Sequence, residues 1–158
     1  MTCILAPGND SFLRKELAAW AASQMDHVDQ FGPCETLAVV EGHDPKSLKA
    51  KILAVVVFHE HVYNTIQISC AAASPRWASP RVLRSLLGYP FERLGCRKVH
   101  TITSHTNERA LRFNRGIGMV QEATIRHYFA DKDHGVVMGM TRREFDKRWG
   151  NTPNMAVG

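Results

Sequence analysis

The chain has 158 residues, of which 44% are hydrophobic and 22% charged, and this size and balance predict one globular domain with a hydrophobic core. A formal net charge of +5 favours an anionic partner, such as nucleic acid, an anionic surface or a phosphorylated cofactor. No stretch is apolar enough to cross a membrane, and the first residues lack the basic region and apolar run of an export signal. We therefore expect a cytoplasmic protein without a membrane partner.

The sequence gives little support to a metal site. His59 and His61 are two residues apart on a predicted strand and would face the same way, but no third ligand is evident. The two histidines could also relay a proton through water, but we expect both to be solvated residues at a strand end. The cysteines are far apart and form no C-x-x-C pair, which favours reduced thiols over zinc ligands. They are Cys3, Cys34, Cys70 and Cys96.

The first half of the chain is predicted to form one helix and four strands. Apolar residues recur at helical spacing in one segment, whereas the other segments are short, apolar and rich in β-branched residues. Two neighbouring apolar runs with a short connection suggest an antiparallel pair in the middle of a sheet. The predicted elements are a short strand over Thr2–Ala6, a helix over Ser11–Met25, and strands over Thr36–Glu41, Lys51–His61 and Thr65–Ala72.

A loop and an amphipathic helix follow this last strand. Ser79 is a favoured N-cap, and Pro80 suits the first helical position because its nitrogen carries no hydrogen. Apolar residues fall on one face, so we expect the helix to pack by one side only. The apolar face contains Val82, Leu83, Leu86, Leu87, Phe91 and Leu94, and the opposite face contains Arg81, Arg84, Ser85, Glu92 and Arg93.

The start of this helix is a candidate phosphate site. The amides of residues 78–82 would point outward at the positive end of the helix dipole, with Arg76 and Arg81 beside them. Between Arg76 and Lys98 the sequence has six basic residues and one acid. An ordinary turn followed by a solvated helix face is the alternative interpretation of this stretch.

The rest of the chain is predicted to contain a strand, a short helix, a hairpin and a final helical turn. Thr141 and Glu144 have the spacing of a capping box, which would begin the final turn. We expect a single domain over residues 1–149 and a flexible tail over 150–158. The predicted elements are a strand over Arg97–Ser104, a helix over Asn107–Arg115, hairpin strands over Met119–Phe129 and Val136–Thr141, and a last turn through Trp149.

The segment from Arg76 to Met119 resembles the GNAT acetyltransferases, in particular the ribosomal-protein N-terminal acetyltransferase branch and its phage-encoded relatives. That family has an R-x-x-G-x-G/A loop before a helix, and later an N-x-x-A/S motif and a helix that ends in an aliphatic-Gly-aromatic step. The order of elements agrees from Lys51 to Thr141. The matching residues are Arg76, Ser79 and Arg81 in the loop, and Asn107, Ala110 and Ile117–Met119 in the later part.

The resemblance implies an α/β fold with a mixed, mostly antiparallel sheet of six or seven strands flanked by helices. The fourth and fifth strands would splay apart and hold acetyl-CoA in the opening, with no metal. The pantetheine arm would pair with the fourth strand, and an amine would attack the thioester directly. The implied cofactor residues are Ser69, Cys70, Ala71, Ala72, Arg76, Trp77, Ala78, Ser79, Pro80, Arg81 and Asn107.

Several positions depart from the family pattern. Ser79 and Arg81 replace two loop glycines, where a side chain would crowd the phosphates or, for Arg81, contact them. Asn114 stands where many relatives have the tyrosine that protonates the thiolate, and Gln67 where some have a glutamate base. Neither side chain can titrate, so those roles must pass to other groups or to water.

Other candidate site residues keep a structural alternative. Ser104 and Cys70 could approach the thioester sulfur or be ordinary strand residues, and they join Asn114 as the catalytic candidates. Asn107 would cap a helix as well as bind the cofactor. Trp77 would stack on adenine, line an acceptor channel or close the loop over the core. The substrate-side candidates are Gln67, Arg126 and Tyr128.

The expected function is N-acetyl transfer from acetyl-CoA to a primary amine. The acceptor would be a protein N-terminus, a lysine or a small polyamine-like molecule. The alternative is a non-catalytic protein of the same fold that binds an acidic protein or nucleic acid through its basic stretch. A homodimer is compatible with either function.

Overall fold

The computed structural model describes residues 1–42 and 51–155, which form seven strands and four α-helices. A short 3₁₀ turn, Pro75–Trp77, lies between the fourth strand and the second helix. The elements in chain order are β1 (Thr2–Leu5), α1 (Ser11–Ser23), β2 (Cys34–Glu41), β3 (Lys51–Val62), β4 (Thr65–Ala72), α2 (Pro80–Glu92), β5 (Lys98–Ser104), α3 (Glu108–Gly116), β6 (Val120–Ala130), β7 (Asp133–Thr141) and α4 (Arg142–Trp149).

All seven strands belong to one sheet, in the order β1-β2-β3-β4-β5-β7-β6. Neighbouring strands are antiparallel except β4 and β5, which run parallel. The β4–β5 pairing begins at Thr65 opposite Lys98 and ends at Gln67 opposite His100. Beyond that pair, Ile68–Ala72 and Thr101–Ser104 diverge, and we call the space between them the strand opening. The predicted mixed sheet with splayed fourth and fifth strands is therefore confirmed.

Local sequence signals set several element boundaries. Tyr63 and Asn64 both have positive φ, 52° and 57°, as the two central residues of a tight hairpin turn require. The Ser79 side chain accepts a hydrogen bond from the Val82 amide, and Pro80 is the first residue of α2, as predicted. Thr141 and Glu144 form the predicted capping box at the start of α4.

Both faces of the central sheet are buried, and β3 shows how the sequence divides between them. Val55 and Val57 pack with α1 on one face, whereas Val56 and Phe58 belong to the cluster on the opposite face. Helices α2, α3 and α4 supply that second cluster. Because alternate residues serve opposite faces and both are covered, β3 is a continuous apolar run.

The prediction that α2 packs by one side only is wrong. Arg84 and Ser85, assigned to the solvent side, are only 9% and 7% exposed. The Arg84 guanidinium donates to Glu92 and lies 5.0 Å from the centre of the Phe145 ring of α4. Gly88 leaves room for these contacts, because an added Cβ would overlap the Glu92 carboxylate and the Arg84 guanidinium and lie 3.1 Å from the Phe145 ring. Helix α4 therefore covers the face that appeared polar in the sequence.

The end of the chain also contacts α2. The Ser85 hydroxyl accepts a hydrogen bond from the Met155 amide at 2.7 Å and lies 3.1 Å from Oδ1 of Asn154. Arg81 donates to the Asn154 carbonyl at 3.0 Å. Residues 156–158 of the predicted tail lie outside the described residues. The contacts of Asn154 and Met155 explain why Ser85 is buried.

Replacing Phe145 by alanine should destabilise the fold strongly. Phe145 is 1% exposed and stacks on Phe91, with ring centres 5.1 Å apart. Its truncation should lower the free energy of unfolding by about 3–5 kcal/mol, as for other buried aromatic residues. Phe12→Ala is the matched control, because Phe12 is 73% exposed, and it should change the stability little. Equal losses in urea unfolding of the two variants would contradict the packing of α4 on α2.

The ion pair between Arg84 and Glu92 should make stability depend on pH. The Arg84 hydrogen bond holds the pKa of Glu92 below its ordinary value of 4.5. A carboxyl group whose pKa is lower in the folded state stabilises the fold above pH 4.5 and loses that effect as the pH falls further. Glu92→Gln should therefore destabilise the protein at pH 7, and the deficit should shrink towards pH 3.

Urea unfolding at the two pH values measures this difference. Glu16→Gln on the exposed side of α1 is the control and should have little effect at either pH. A deficit for Glu92→Gln that is the same at pH 7 and pH 3 would show that the Glu92 charge does not stabilise the fold.

Candidate active site

A cleft of about 1750 Å³ lies along the strand opening. The two diverging strands, helix α3 and the loop after α1 form its walls. Ten of the sixteen candidate cofactor, catalytic and substrate-side residues line it: Gln67, Ser69, Cys70, Ala71, Ala72, Trp77, Ser104, Asn107, Asn114 and Tyr128. Six others lie outside its lining in the described structure: Arg76, Ala78, Ser79, Pro80, Arg81 and Arg126. Most strand and α3 candidates are thus brought together, whereas the loop residues lie beyond the cleft.

The β4 side of the opening carries small side chains that alternate between the two sheet faces. Ser69 is opposite Val57 and Ala71 opposite Val55, so both face the α1 side. Cys70 points to the α2 side of the sheet. Its thiol is accessible from the cleft yet surrounded by protein atoms, and this desolvation raises its pKa to about 12. The Cys70 sulfur is therefore a neutral thiol at physiological pH, not a nucleophilic thiolate.

The start of α2 keeps features of an anion site but is partly occupied by the protein's own contacts. Ser79 caps the Val82 amide, whereas the Arg81 amide is one of the first helical N–H groups, which have no intrahelical acceptor. The Arg76 guanidinium is held by the Glu41 carboxylate, with N–O distances of 2.9 and 3.4 Å. A phosphate at this helix end would have to compete with Glu41 for Arg76.

Trp77 closes the loop over the core. The residue is 9% exposed, and its ring lies 5.6 Å from the ring of Phe113 on α3. An indole buried in this way packs between α2 and α3 and has little surface left to stack on adenine. Of the three roles expected for Trp77, closing the loop over the core fits this burial best.

On the other side of the opening, two asparagines have structural partners. Asn107 caps α3 by accepting a hydrogen bond from the Ala110 amide at 3.2 Å, and its NH₂ group remains available to the cleft. Asn114 donates to the Thr101 hydroxyl at 3.3 Å. Asn114 of α3 is thus held against β5.

Ser104 belongs to a polar cluster at the rim of the cleft. Its hydroxyl donates to Asp133 and lies 2.9 Å from the hydroxyl of Thr106. Asp133 also lies 3.4 Å from Nε2 of His27, which comes from the loop after α1. The sequence did not single out Asp133 or His27, because their proximity arises only when the hairpin and this distant loop meet. Ser104 therefore has a structural partner instead of a free hydroxyl.

A polar row crosses three strands at the closed end of the opening. His59 of β3 is the register partner of Gln67, and Gln67 is the register partner of His100 on β5. Nε2 of His59 lies 2.8 Å from the Ser69 hydroxyl, and the Phe31 ring packs edge-on against the imidazole at 5.0 Å. We call His59, Gln67 and His100 the polar row.

Both histidines of the polar row are partly buried. Desolvation lowers the pKa of His59 below 6.5; His100 lowers it further, whereas the Glu60 carboxylate opposes the shift. Desolvation is also the main cause of the lowered pKa of His100, with a further contribution from Lys98 and an opposing one from Glu122. Both imidazoles are therefore neutral near pH 7.

The expectation that His59 and His61 face the same way is wrong, and His59 is partly buried, whereas His61 is exposed as expected. Glu60 has φ of 53°, and the β3–β4 register shifts between His59 and Val62, so a bulge separates the two histidines. His61 instead contacts the Cys96 sulfur at 3.6 Å. Alternate residues of β3 face the α1 side, so His59 lies on the same side as Val55 and Val57. This alternation in the sequence could have identified His59 as a cleft residue.

The charge of the cleft is opposite to that of the whole chain. Four carboxylates line it, from Asp26, Asp29, Glu60 and Asp133, against the single guanidinium of Arg109. The basic residues near the start of α2 lie outside. An electropositive ligand group is therefore favoured inside the cleft, and an anionic one at its outer end.

Two features are missing from residues 1–42 and 51–155. No three His, Cys, Asp or Glu side chains are grouped closely enough there to hold a metal ion. None of the helices in the same residues has the length and apolar character needed to cross a membrane.

Comparison with known protein structures identifies the fold of this chain. No protein-family model and no curated protein sequence matches the chain. Among solved structures, a chimera of spermidine N-acetyltransferase SpeG from Vibrio cholerae and hSSAT matches with a TM-score of 0.63 and 13% identity, over 91% of this chain and 98% of that one. The chain has the GNAT fold.

Other acetyltransferase structures share it. SpeG from Vibrio cholerae in complex with manganese ions matches with a TM-score of 0.56 and 16% identity, over 73% of this chain and 69% of that one. A candidate acetyltransferase matches with a TM-score of 0.61 and 18% identity, over 74% of this chain. This chain spans 61% of that protein, less than two thirds of its length.

Iodoacetamide should alkylate the Cys70 thiol slowly, at a rate that keeps rising with pH. Only the thiolate reacts with iodoacetamide, and a pKa of about 12 leaves little thiolate at pH 8. Mass spectrometry of the Cys70 peptide should show a rate that rises about tenfold per pH unit up to pH 10. A plateau below pH 9 would show that the thiol ionises readily and would restore a nucleophilic role.

Proposed function

We propose that the protein is an acetyl-CoA-dependent N-acetyltransferase that acts on a primary amine. The observation that carries this proposal is the strand opening, which β4 and β5 create by pairing over only three residues before they diverge. Its geometry suits an extended ligand arm, and the fold is shared with acetyltransferases, among them spermidine N-acetyltransferase SpeG.

The backbone of β4 would hold the cofactor arm. From Ile68 onward, the edge of β4 that faces β5 has lost its partner strand, so its amide and carbonyl groups can pair with an extended chain. The small side chains of Ser69, Ala71 and Ala72 leave space beside it. The Asn107 amide group would add a hydrogen bond from the opposite wall. Bound acetyl-CoA would supply an electrophilic thioester carbon in the opening.

The phosphates would lie at the start of α2. The Arg81 amide and guanidinium are both near the positive end of the helix dipole, and the side chain would exchange its Asn154 contact for phosphate. Ser79 and Arg81 replace the family's loop glycines, so the phosphates would contact side chains as well as amides. Arg76 would join them by leaving Glu41.

The acceptor would be a cation. The four carboxylates of the cleft favour a protonated amine over an anionic substrate. The structural neighbours that act on spermidine and the resemblance to ribosomal-protein N-terminal acetyltransferases point to different acceptors. A polyamine and a peptide α-amine share the ammonium group, and this is the acceptor chemistry that we propose.

The alternative function, binding of nucleic acid or an acidic protein through the basic stretch, has weaker support. Three of the six basic residues between Arg76 and Lys98 are paired within the chain, as Arg76–Glu41, Arg84–Glu92 and Lys98–Glu122. Arg84 is also buried by α4. These pairs leave a smaller free positive surface than the sequence indicated.

Calorimetric titration with acetyl-CoA should detect micromolar binding. Dephospho-CoA should bind more weakly if basic groups at the outer end of the cleft contact the 3′-phosphate. Asn107→Ser keeps a capping side chain but loses the amide N–H donor, so it should weaken acetyl-CoA binding about tenfold without unfolding the protein. Glu16→Gln is the control and should leave the affinity unchanged.

Acetyl transfer should then be measured by mass spectrometry with three acceptors: spermidine, a peptide with a free α-amine, and an N-blocked lysine peptide. Transfer to any of them would support the proposal and identify the acceptor. Absence of acetyl-CoA binding would overturn it, and salt-sensitive binding of nucleic acid would then favour the alternative.

A further inference from the structure

One histidine of the polar row, His59, offers a proton acceptor that the family-pattern positions Gln67 and Asn114 do not. Amines are largely protonated at neutral pH, so the acceptor nitrogen must lose a proton before its lone pair can attack a thioester. Gln67 and Asn114 cannot titrate. The Ser104 hydroxyl donates a hydrogen bond to Asp133, and the Cys70 thiol faces the α2 side of the sheet. The catalytic candidates taken from the sequence therefore do not supply the proton acceptor.

Ser69 and His59 are placed at the closed end of the opening. Gln67 and His100 are the last paired residues of β4 and β5, and Ser69 lies two residues further, just inside the opening. Ser69 and His59 share the α1 face of the sheet, because Ser69 is opposite Val57. The 2.8 Å distance from the Ser69 hydroxyl to Nε2 of His59 allows the hydroxyl to donate to the imidazole.

The α1 face of the sheet, which carries Ser69 and His59, is opposite to the face on which α2 begins. A cofactor anchored at the start of α2 would enter the opening from the α2 side, so an amine would approach from the α1 side. That side is where Asp26 and Asp29, in the loop after α1, line the cleft. An ammonium group attracted by these carboxylates would meet Ser69 beside the thioester.

The surroundings of His59 favour a neutral imidazole that can accept a proton. Phe31 packs against its ring, Cys34 is its register partner on β2, and Gln67 is its partner on β4. The charged or titratable groups that act on it are Glu60 and His100. Burial lowers the pKa of His59, so the ring is unprotonated at neutral pH.

We propose that Ser69 and His59 form the relay that deprotonates the acceptor amine. The inference rests on the proposed function. The ammonium donates a proton to the Ser69 oxygen while the Ser69 hydroxyl proton passes to Nε2 of His59, which becomes an imidazolium and later releases the proton to solvent. The amine nitrogen then bonds to the acetyl carbon, the carbon–sulfur bond breaks, and a second N–H proton ends on the sulfur of CoA.

The experiment compares kcat of the wild type and of three variants across pH 5.5 to 9 with saturating acceptor. In His59→Gln, kcat at pH 7 should fall about 100-fold or more, because relayed general-base catalysis is lost. The wild type should lose activity as the pH falls through the pKa of His59, which burial holds below 6.5, and His59→Gln should lack this acid limb. Glutamine can still hydrogen-bond to Ser69, so the local packing is preserved.

His100→Gln is the matched control, because it lies in the same row and is also partly buried. It should change kcat less than about threefold and keep the acid limb. The double variant His59→Gln/Ser69→Ala should be no slower than His59→Gln alone if the two residues act as one relay. Acetyl-CoA affinity should be unchanged in all variants, since none of these side chains binds the cofactor in the proposal.

The outcomes separate the two proposals. An active wild type whose rate and acid limb persist in His59→Gln would overturn the relay and leave the acetyltransferase function standing. Loss of the limb in His100→Gln instead would also overturn it. Failure of the wild type to acetylate any amine, despite acetyl-CoA binding, would overturn both the relay and the proposed function.

Discussion

The structure depends on the brief pairing of β4 with β5. These parallel strands are neighbours for only three residues, and the rest of each strand diverges from the other. Trp77 follows β4, and Phe113 belongs to the helix after β5, so the contact between their rings joins the two sides on the α2 face. This contact packs the segment after β4 against the helix after β5. The arrangement of the candidate site follows from this geometry.

Charge is distributed unevenly around this opening. The chain carries an excess of five positive charges, yet four carboxylates and one guanidinium line the cleft. Part of the basic stretch after β4 is paired within the chain. Arg84 pairs with Glu92 inside α2 and contacts Phe145 of α4, and Arg76 pairs with Glu41. Net charge alone favoured an anionic partner, such as nucleic acid, an anionic surface or a phosphorylated cofactor. The positions of the charges favour a cationic ligand group in the cleft.

Features that depend on adjacent residues could be predicted from the sequence. The Ser79–Pro80 start of α2, the capping box of Thr141 and Glu144, and the bounds of β4 are all local signals, and the structure confirms them. The mixed sheet and its splayed strands came from the family resemblance, because no local pattern specifies that two parallel strands separate.

Features that need two distant segments could not be predicted. The polar face of α2 became buried because α4, some fifty residues later, packs on Arg84. A bulge at Glu60 turned His59 and His61 to opposite sides. The cluster of Ser104, Asp133 and His27 joins three regions of the chain. In each case the spacing of residues within one helix or strand does not reveal which distant segment contacts that helix or strand.

Hydrogen exchange of the β4 amides with and without acetyl-CoA tests most directly whether the strand opening is the cofactor site. Amides of Ile68–Ala72 that face the opening lack a partner strand on that side and should exchange more slowly when the pantetheine arm pairs with them. Amides in the β1–β2 pair should be unaffected. Unchanged exchange across Ile68–Ala72 at saturating acetyl-CoA would show that the cofactor does not lie between β4 and β5.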